Sequence, residues 1–220
     1  MTGLDAIERW ARAELETRNA AREKALSQSR ELTRTCANTI RAVHRRDFRQ
    51  ARTLLAAAKA LSDGLTQNLA PYPDLFYTGY VQDAQKEYVE ANATLSLLSG
   101  SPMPSPHELG VAAAPFLNGL AETVGELRRF VLDMLRRGEM AGSDALLQTM
   151  DDIYSLLVTI DYPDALTGGL RRTTDLTRGI LERTRGDLTF ALRQQDLEES
   201  LARVEQSIRG VLKPSDSESK

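Results

Sequence analysis

Two pairs of glutamates at helical spacing are the residues of this sequence best suited to chemistry. Glu87 and Glu90 lie three apart in AQKEYVEA, and Glu122 and Glu126 lie four apart in GLAETVGELRR. Residues at these spacings share one helix face, with Cβ atoms about 5–6 Å apart. If the two helices were neighbours, the four carboxylates could meet, and they could not all ionise comfortably without a cation between them.

A cation held by such a cluster would have a defined chemistry. Carboxylate oxygens select hard ions, so Mg²⁺ or Mn²⁺ is expected rather than Zn²⁺. Such an ion can polarise a phosphoryl oxygen and lower the pKa of a bound water. These are the properties that a metal-dependent nuclease uses.

The same spacings also occur on ordinary charged helices, where glutamates face water and pair with basic residues. Lys86 and Arg129 are available as partners, so spacing alone favours solvated charges over a metal site. Asp83 lies on the same face one turn before Glu87 and is not counted as a ligand. His44 and His107, at helix edges, are interpreted as capping or solvated residues rather than catalytic ones.

The elements that must position these acids are all helices. Apolar periodicity predicts helices at 4–45, 48–66, 74–99, 107–137, 143–160 and from 169 past 209, the last with an interruption near Gly186. Proline-rich breaks separate the third helix from its neighbours, and Asp47 is a predicted N-cap. We expect one all-α domain over 1–212, followed by a polar, disordered tail at 213–220.

Composition narrows the class of protein. The 220 residues are 41% hydrophobic with a net charge of −3, which argues against general nucleic-acid affinity from bulk charge. No apolar run could span a bilayer, no secretory signal is apparent, and the one cysteine, Cys36, cannot form an internal disulfide. A soluble cytoplasmic protein without membrane contact is therefore expected.

Several segments resemble one known family. YTGYVQDAQKEYVEA followed by FLNGLAETVGELRR resembles the translin family, in its translin-associated factor X branch. SRELTRTCANTIRAVHR, MDDIYSLLVTIDYP and LRRTTDLTRGILERTRGDLTFALR resemble further helices of that family, so the resemblance covers residues 25–193. The short break between the third and fourth predicted helices is similar to that of archaeal members.

The resemblance implies a translin-like helical bundle of about six to seven helices. Such bundles assemble into a hollow oligomer, commonly an octamer, that binds RNA or single-stranded DNA inside. The factor X branch further implies a Mg²⁺-dependent endoribonuclease. By position, its catalytic and metal-binding acids are Glu87, Glu90, Glu122 and Glu126. Glu122 departs from the family pattern, because the family often has Asp there.

The sequence indicates the RNA-contacting residues and a partner subunit less directly. Arg128–Arg129, which come directly after the second acid pair, and Arg171–Arg172 could contact phosphates, although the pattern favours a solvated helix face for each pair. Of these, Arg128 and Arg129 are the predicted RNA contacts. The basic segment that translin uses for nucleic acid is not evident around Tyr77–Tyr80. A separate translin-like partner subunit is left open by the sequence.

Three hypotheses remain at this point. The first is a homo-oligomeric, metal-dependent endoribonuclease that cleaves single-stranded or short structured RNA inside its shell. The second is a non-catalytic translin-like oligomer that binds RNA or single-stranded DNA, against which the presence of all four acids argues. The third is a helical scaffold for protein partners, with the acids as solvated charges.

Overall fold

The computed structural model describes residues 3–211, and within that range the chain is helical with no strand. Six long helices are accompanied by three four-residue helices in the connections. The helices are α1 (Leu4–His44), α2 (Phe48–Leu69), α3 (Pro73–Phe76), α4 (Gly79–Ser99), α5 (Pro106–Leu109), α6 (Ala113–Arg136), α7 (Ser143–Val158), α8 (Asp164–Thr167) and α9 (Leu170–Val211). The predicted all-α class is confirmed. The predicted tail at 213–220 lies outside the described residues, and the single domain over 1–212 stays a prediction.

The helix boundaries differ from the prediction in three places. The predicted helix over 107–137 is divided into α5 and α6, because Gly110 is in the left-handed region and Ala112 is extended. The predicted helix over 74–99 is divided into α3 and α4, because Thr78 is extended. The interruption predicted near Gly186 is wrong, since α9 continues through it. One helical glycine costs about 1 kcal/mol relative to alanine, and the buried side chains of Leu181 and Leu188 hold this part of α9 against the bundle.

Specific caps set where the helices begin. The predicted N-cap is confirmed, because the Asp47 side chain accepts a hydrogen bond of 3.0 Å from the backbone N–H of Gln50. After the second proline-rich break, Ser105 and Glu108 form a capping box that starts α5. These caps satisfy N–H groups that would otherwise lack partners.

The long helices pack side by side around one apolar core. Helix α1 contacts α2 and α4, α4 contacts α6, and α6 contacts α7 and α9. Val81, Ala84 and Val89 of α4 belong to the same buried apolar cluster as Leu120 and Val124 of α6. No helix between residues 3 and 211 is long and apolar enough to cross a bilayer.

One glycine allows α6 to lie directly on α4. A Cβ atom at position 119 would lie 2.5 Å from the carbonyl oxygen of Lys86 and 2.8 Å from the Cβ of Val89. Carbon and oxygen atoms do not approach so closely, so a larger residue would force the helices apart. Gly119 therefore determines how near the acids of α6 come to those of α4.

This close approach predicts opposite effects for two glycines of α6. Gly119→Ala should destabilise the protein by about 1–3 kcal/mol through overpacking. Gly125→Ala is the matched control, because no heavy atom lies within 4 Å of the position that its Cβ would take. It should stabilise the helix by about 0.5–1 kcal/mol. Urea unfolding checks both, and equal midpoints for the two variants would contradict the steric account.

Candidate metal centre between α4 and α6

Three of the four predicted acids meet between α4 and α6. One carboxylate oxygen from each of Glu87, Glu90 and Glu122 lies within 4.8 Å of the other two. Glu87 and Glu90 stand one turn apart on α4, and Glu122 stands on α6 one turn after Gly119. The structure thus brings these three carboxylates together, while their role as metal ligands stays a prediction.

Glu90 is the acid most removed from water, with 9% of its surface exposed. Burial, followed by the negative charges of Glu87, Glu122 and Glu126, raises the pKa of Glu90 from 4.5 to about 8. Burial, together with the charge of Glu122, also raises the pKa of Glu87. The cluster therefore retains a proton near neutral pH unless a cation offsets its charge.

Lys86 is the internal cation nearest to this cluster. Its Nζ donates a hydrogen bond of 2.7 Å to Oε1 of Glu122. Burial alone would lower the pKa of Lys86, but the hydrogen bond to Glu122 and the charges of Glu122, Asp83 and Glu87 outweigh burial and raise it. Lys86 therefore stays charged and holds the Glu122 carboxylate in place.

Glu126 is occupied by partners of its own. Its carboxylate contacts Nε2 of His44, at the end of α1, and lies 3.7 Å from the guanidinium of Arg129. Its charge still reaches the cluster, because it contributes to the raised pKa of both Glu87 and Glu90. The fourth predicted acid thus lies beside the three, with its carboxylate held by α1 and α6.

Sequence reasoning missed the part played by His44. The prediction that it caps a helix or faces water is wrong, because it is buried, and its Nδ1 has no partner among the described atoms. A signal was present in the sequence, since His44 continues the buried row of Leu32, Cys36 and Ile40 in steps of four. Its contact with Glu126 could not be read from that row, because the two residues are 82 positions apart.

The two predicted RNA-contacting arginines have different surroundings. Arg128 donates a 3.0 Å hydrogen bond to Oγ1 of Thr184 and lies 2.8 Å from the carboxylate of Asp187, both on α9. Arg129 is half-exposed, and both residues line a shallow groove of about 410 Å³ that also includes Arg136. Arg128 therefore joins α6 to α9, whereas Arg129 presents its guanidinium to solvent beside the acids.

A larger cavity opens on the other side of the cluster. It has a volume of about 550 Å³, and its lining includes Tyr77, Gln82, Asp83, Lys86, Asn118 and Glu122. Glu122 belongs to both the cavity lining and the acid cluster, and Lys86, which is hydrogen-bonded to it, also lines the cavity. Tyr77 is exposed at this cavity and offers an aromatic face. The cluster is therefore reached from this cavity at Glu122.

Comparisons with known proteins identify relatives of this chain by sequence and by structure. No family model matches the chain. The uncharacterised protein MJ0175 of Methanocaldococcus jannaschii is 33% identical over 194 residues, which are 87% of this chain and 85% of that protein. The crystal structure of AfC3PO is 34% identical with a TM-score of 0.78, over 84% of this chain and 97% of that one. C3PO is the complex of translin with translin-associated factor X. The chain belongs to the translin family.

Two further structures place this translin-family chain among its relatives. A complex of AfC3PO with duplex RNA matches with a TM-score of 0.79 and 34% identity, over 84% of this chain and 96% of that one. Apo-NeC3PO, at 21% identity and a TM-score of 0.76 over 87% of this chain and 98% of its own, shows the shared fold alone. The predicted family and its resemblance to archaeal members are confirmed.

The raised pKa of Glu90 predicts a pH-dependent stability. An unfolded chain releases this proton at the ordinary pKa of 4.5, whereas the folded chain holds it to about pH 8. The free energy of unfolding therefore falls as pH rises between these values. Glu90→Gln should gain stability over the parent by a few kcal/mol between about pH 5 and pH 8, since one pKa unit is about 1.4 kcal/mol.

Urea unfolding in EDTA at about pH 5 and at about pH 8 measures the stability of Glu90→Gln relative to the parent. The control is Glu14→Gln, because Glu14 is an exposed residue of α1, far along the chain from the cluster. Its stability relative to the parent should not change with pH. A Glu90→Gln variant that behaved in the same way would show that Glu90 carries no burial penalty.

Proposed function

We propose that this chain is a metal-dependent endoribonuclease that cleaves single-stranded or short structured RNA inside a homo-oligomeric shell, as an octamer. The observation that carries the proposal is the meeting of Glu87, Glu90 and Glu122 within 4.8 Å. Folding brings these like charges together at a free-energy cost, which a bound cation would offset. A protein with no use for a cation gains nothing from this arrangement.

The residues present suit a hard divalent ion. All three converging ligand atoms are carboxylate oxygens, which favours Mg²⁺ or Mn²⁺. Glu87, Glu90 and Glu122 would hold the ion, and Glu126 completes the predicted set of four catalytic and metal-binding acids. When bound, such an ion polarises a phosphoryl oxygen and stabilises negative charge on the leaving oxygen.

Neighbouring residues orient these acids. Lys86 holds Glu122 by its 2.7 Å hydrogen bond, and His44 holds Glu126 from the end of α1. Arg129 is the better candidate of the two predicted arginines for binding an RNA phosphate, because its guanidinium is half-exposed whereas Arg128 is engaged with α9. Tyr77 offers a surface for stacking a base at the adjoining cavity.

RNA as the substrate class is supported by the relative that has been solved with it. AfC3PO is described in complex with duplex RNA and is 34% identical to this chain. Single-stranded DNA as a further ligand, and a translin-like partner subunit, stay predictions. A non-catalytic RNA-binding oligomer is the second candidate, and the ion pairs of Lys86 with Glu122 and of Arg129 with Glu126 favour it.

Cleavage of labelled RNA with Mg²⁺ and with EDTA tests the proposal. Glu90→Gln and Glu122→Gln should each lose more than about 100-fold in rate, because each removes a ligand, and Glu126→Gln should lose about 10–100-fold. Glu14→Gln is again the control and should cleave at the parental rate. Mn²⁺ should also raise the thermal midpoint of the parent, and Glu90→Gln should largely lose that shift.

The outcomes separate the hypotheses. Undiminished cleavage by all three site variants would remove the nuclease proposal. RNA binding without degradation that depends on Mg²⁺ would favour the non-catalytic shell. Failure to bind RNA at low salt would favour a scaffold for protein partners.

The phosphate contact proposed for Arg129 has its own measurement. Arg129→Ala should weaken RNA binding by a similar factor for unrelated sequences and reduce the salt slope by about 1. Arg171→Ala is the matched control, because Arg171 is a well-exposed arginine on α9 outside the groove. Equal effects of the two substitutions would mean that binding depends on overall charge and not on this groove.

A further inference from the structure

The last part of α9 lies beyond the bundle. Leu188 is buried, but none of the described side chains from 189 to 209 is. Six of those side chains are nevertheless large and apolar, with 38% to 72% of their surface exposed: Phe190, Leu192, Leu197, Leu201, Val204 and Ile208. A row of exposed apolar side chains of this length marks an interaction surface.

Five of these residues follow a heptad pattern. Phe190, Leu197, Leu201, Val204 and Ile208 are separated by steps of seven, four, three and four. In heptad notation, Phe190, Leu197 and Val204 occupy d positions. Leu201 and Ile208 occupy a positions, and Gln194 fills the remaining a position. This is the seam by which one helix packs on another in a coiled coil.

The seam does not continue the face that α9 turns toward its own bundle. The buried residues of α9 include Thr177, Leu181, Thr184 and Leu188, which are also spaced by four, three and four. Extended along the helix, that row would reach 191, 195 and 198, whereas the exposed seam passes through 190, 194 and 197. An offset of one residue is a rotation of about 100°, so the exposed seam faces away from its own subunit's core.

The flanking charges indicate which partner fits. Arg193 is at a g position and Glu198 at the e position five residues later, which is the pair that meets across a parallel, in-register dimer. An antiparallel pair would instead set e against e and bring Glu198 and Glu205 together with the same sign. At the a position, a Gln194 amide can both donate to and accept from its own counterpart.

We infer that residues 190–208 of α9 form a parallel, two-stranded coiled coil with the same segment of a second copy of this chain. The exposed stripe at the start of α1 is a poorer partner, since Leu4, Ile7, Trp10 and Leu15 follow steps of three, three and five, which match no heptad. A coil of this length is marginal alone. Contacts elsewhere between subunits would raise its effective concentration.

Disulfide trapping in the full-length protein tests the segment and its direction. Val204→Cys places a thiol on the seam, facing its own counterpart in a parallel pair, where a disulfide can link the two helices. Gln206→Cys is the matched control on the outer face at an f position. The natural Cys36 does not interfere because it is fully buried.

With a mild oxidant, Val204→Cys should form covalent dimers at least about 10-fold faster than Gln206→Cys. Adding Leu201→Glu should abolish the difference without lowering the unfolding midpoint of the bundle, since Leu201 packs against none of it. Equal trapping of the two cysteines would overturn the inference. So would trapping of Val204→Cys that the added Leu201→Glu leaves unchanged.

Discussion

The close contact between α4 and α6 at Gly119 is the constraint on which the candidate site depends. A side chain there would collide with the Lys86 carbonyl and with Val89, so the two helix axes can approach only because position 119 has none. Asn118, the residue before Gly119, attaches α6 to α8 and α9. Asn118 donates a 2.7 Å hydrogen bond to the carbonyl of Thr167 and accepts one of 2.9 Å from Thr173. Helix α6 is thus held on two sides within one turn, and Glu122 follows on the next.

Core packing supplies the free energy that keeps like charges together. Glu90 lies between Val89 and Ala91, both of which are buried, so α4 cannot turn this carboxylate to solvent without exposing its apolar neighbours. The raised pKa of Glu90 is a consequence of that packing, because burial is its largest cause. Burial of apolar side chains contributes about 0.8 kcal/mol for each methylene group, which can offset the cost of placing this carboxyl group in the core. Stability and the capacity to bind a cation are therefore linked through the same helix.

Helix positions and the two acid pairs could be predicted because both are local patterns. Apolar residues at steps of three and four define each long helix, and Glu87 and Glu90 share a face by spacing alone. Contacts made by His44 and Arg128 could not be predicted, because they depend on where α1 and α9 lie relative to α6. Nor does periodicity reveal where α9 leaves the bundle, since the buried row through Leu188 and the exposed row from Phe190 have the same spacing.

The internal counter-ions are unevenly distributed over the four acids. Lys86 pairs with Glu122, and Arg129 pairs with Glu126, which also contacts His44. Among the described residues, Glu87 and Glu90 have no ion-pair partner within 4.0 Å. Without a cation, the proton that Glu90 retains to about pH 8 is what limits the charge of the α4 pair. A divalent ion gains most where charge is both unpaired and desolvated, because the local dielectric screens it least. The α4 pair would thus anchor the ion, and the α6 acids, already held by basic side chains, would adjust to it.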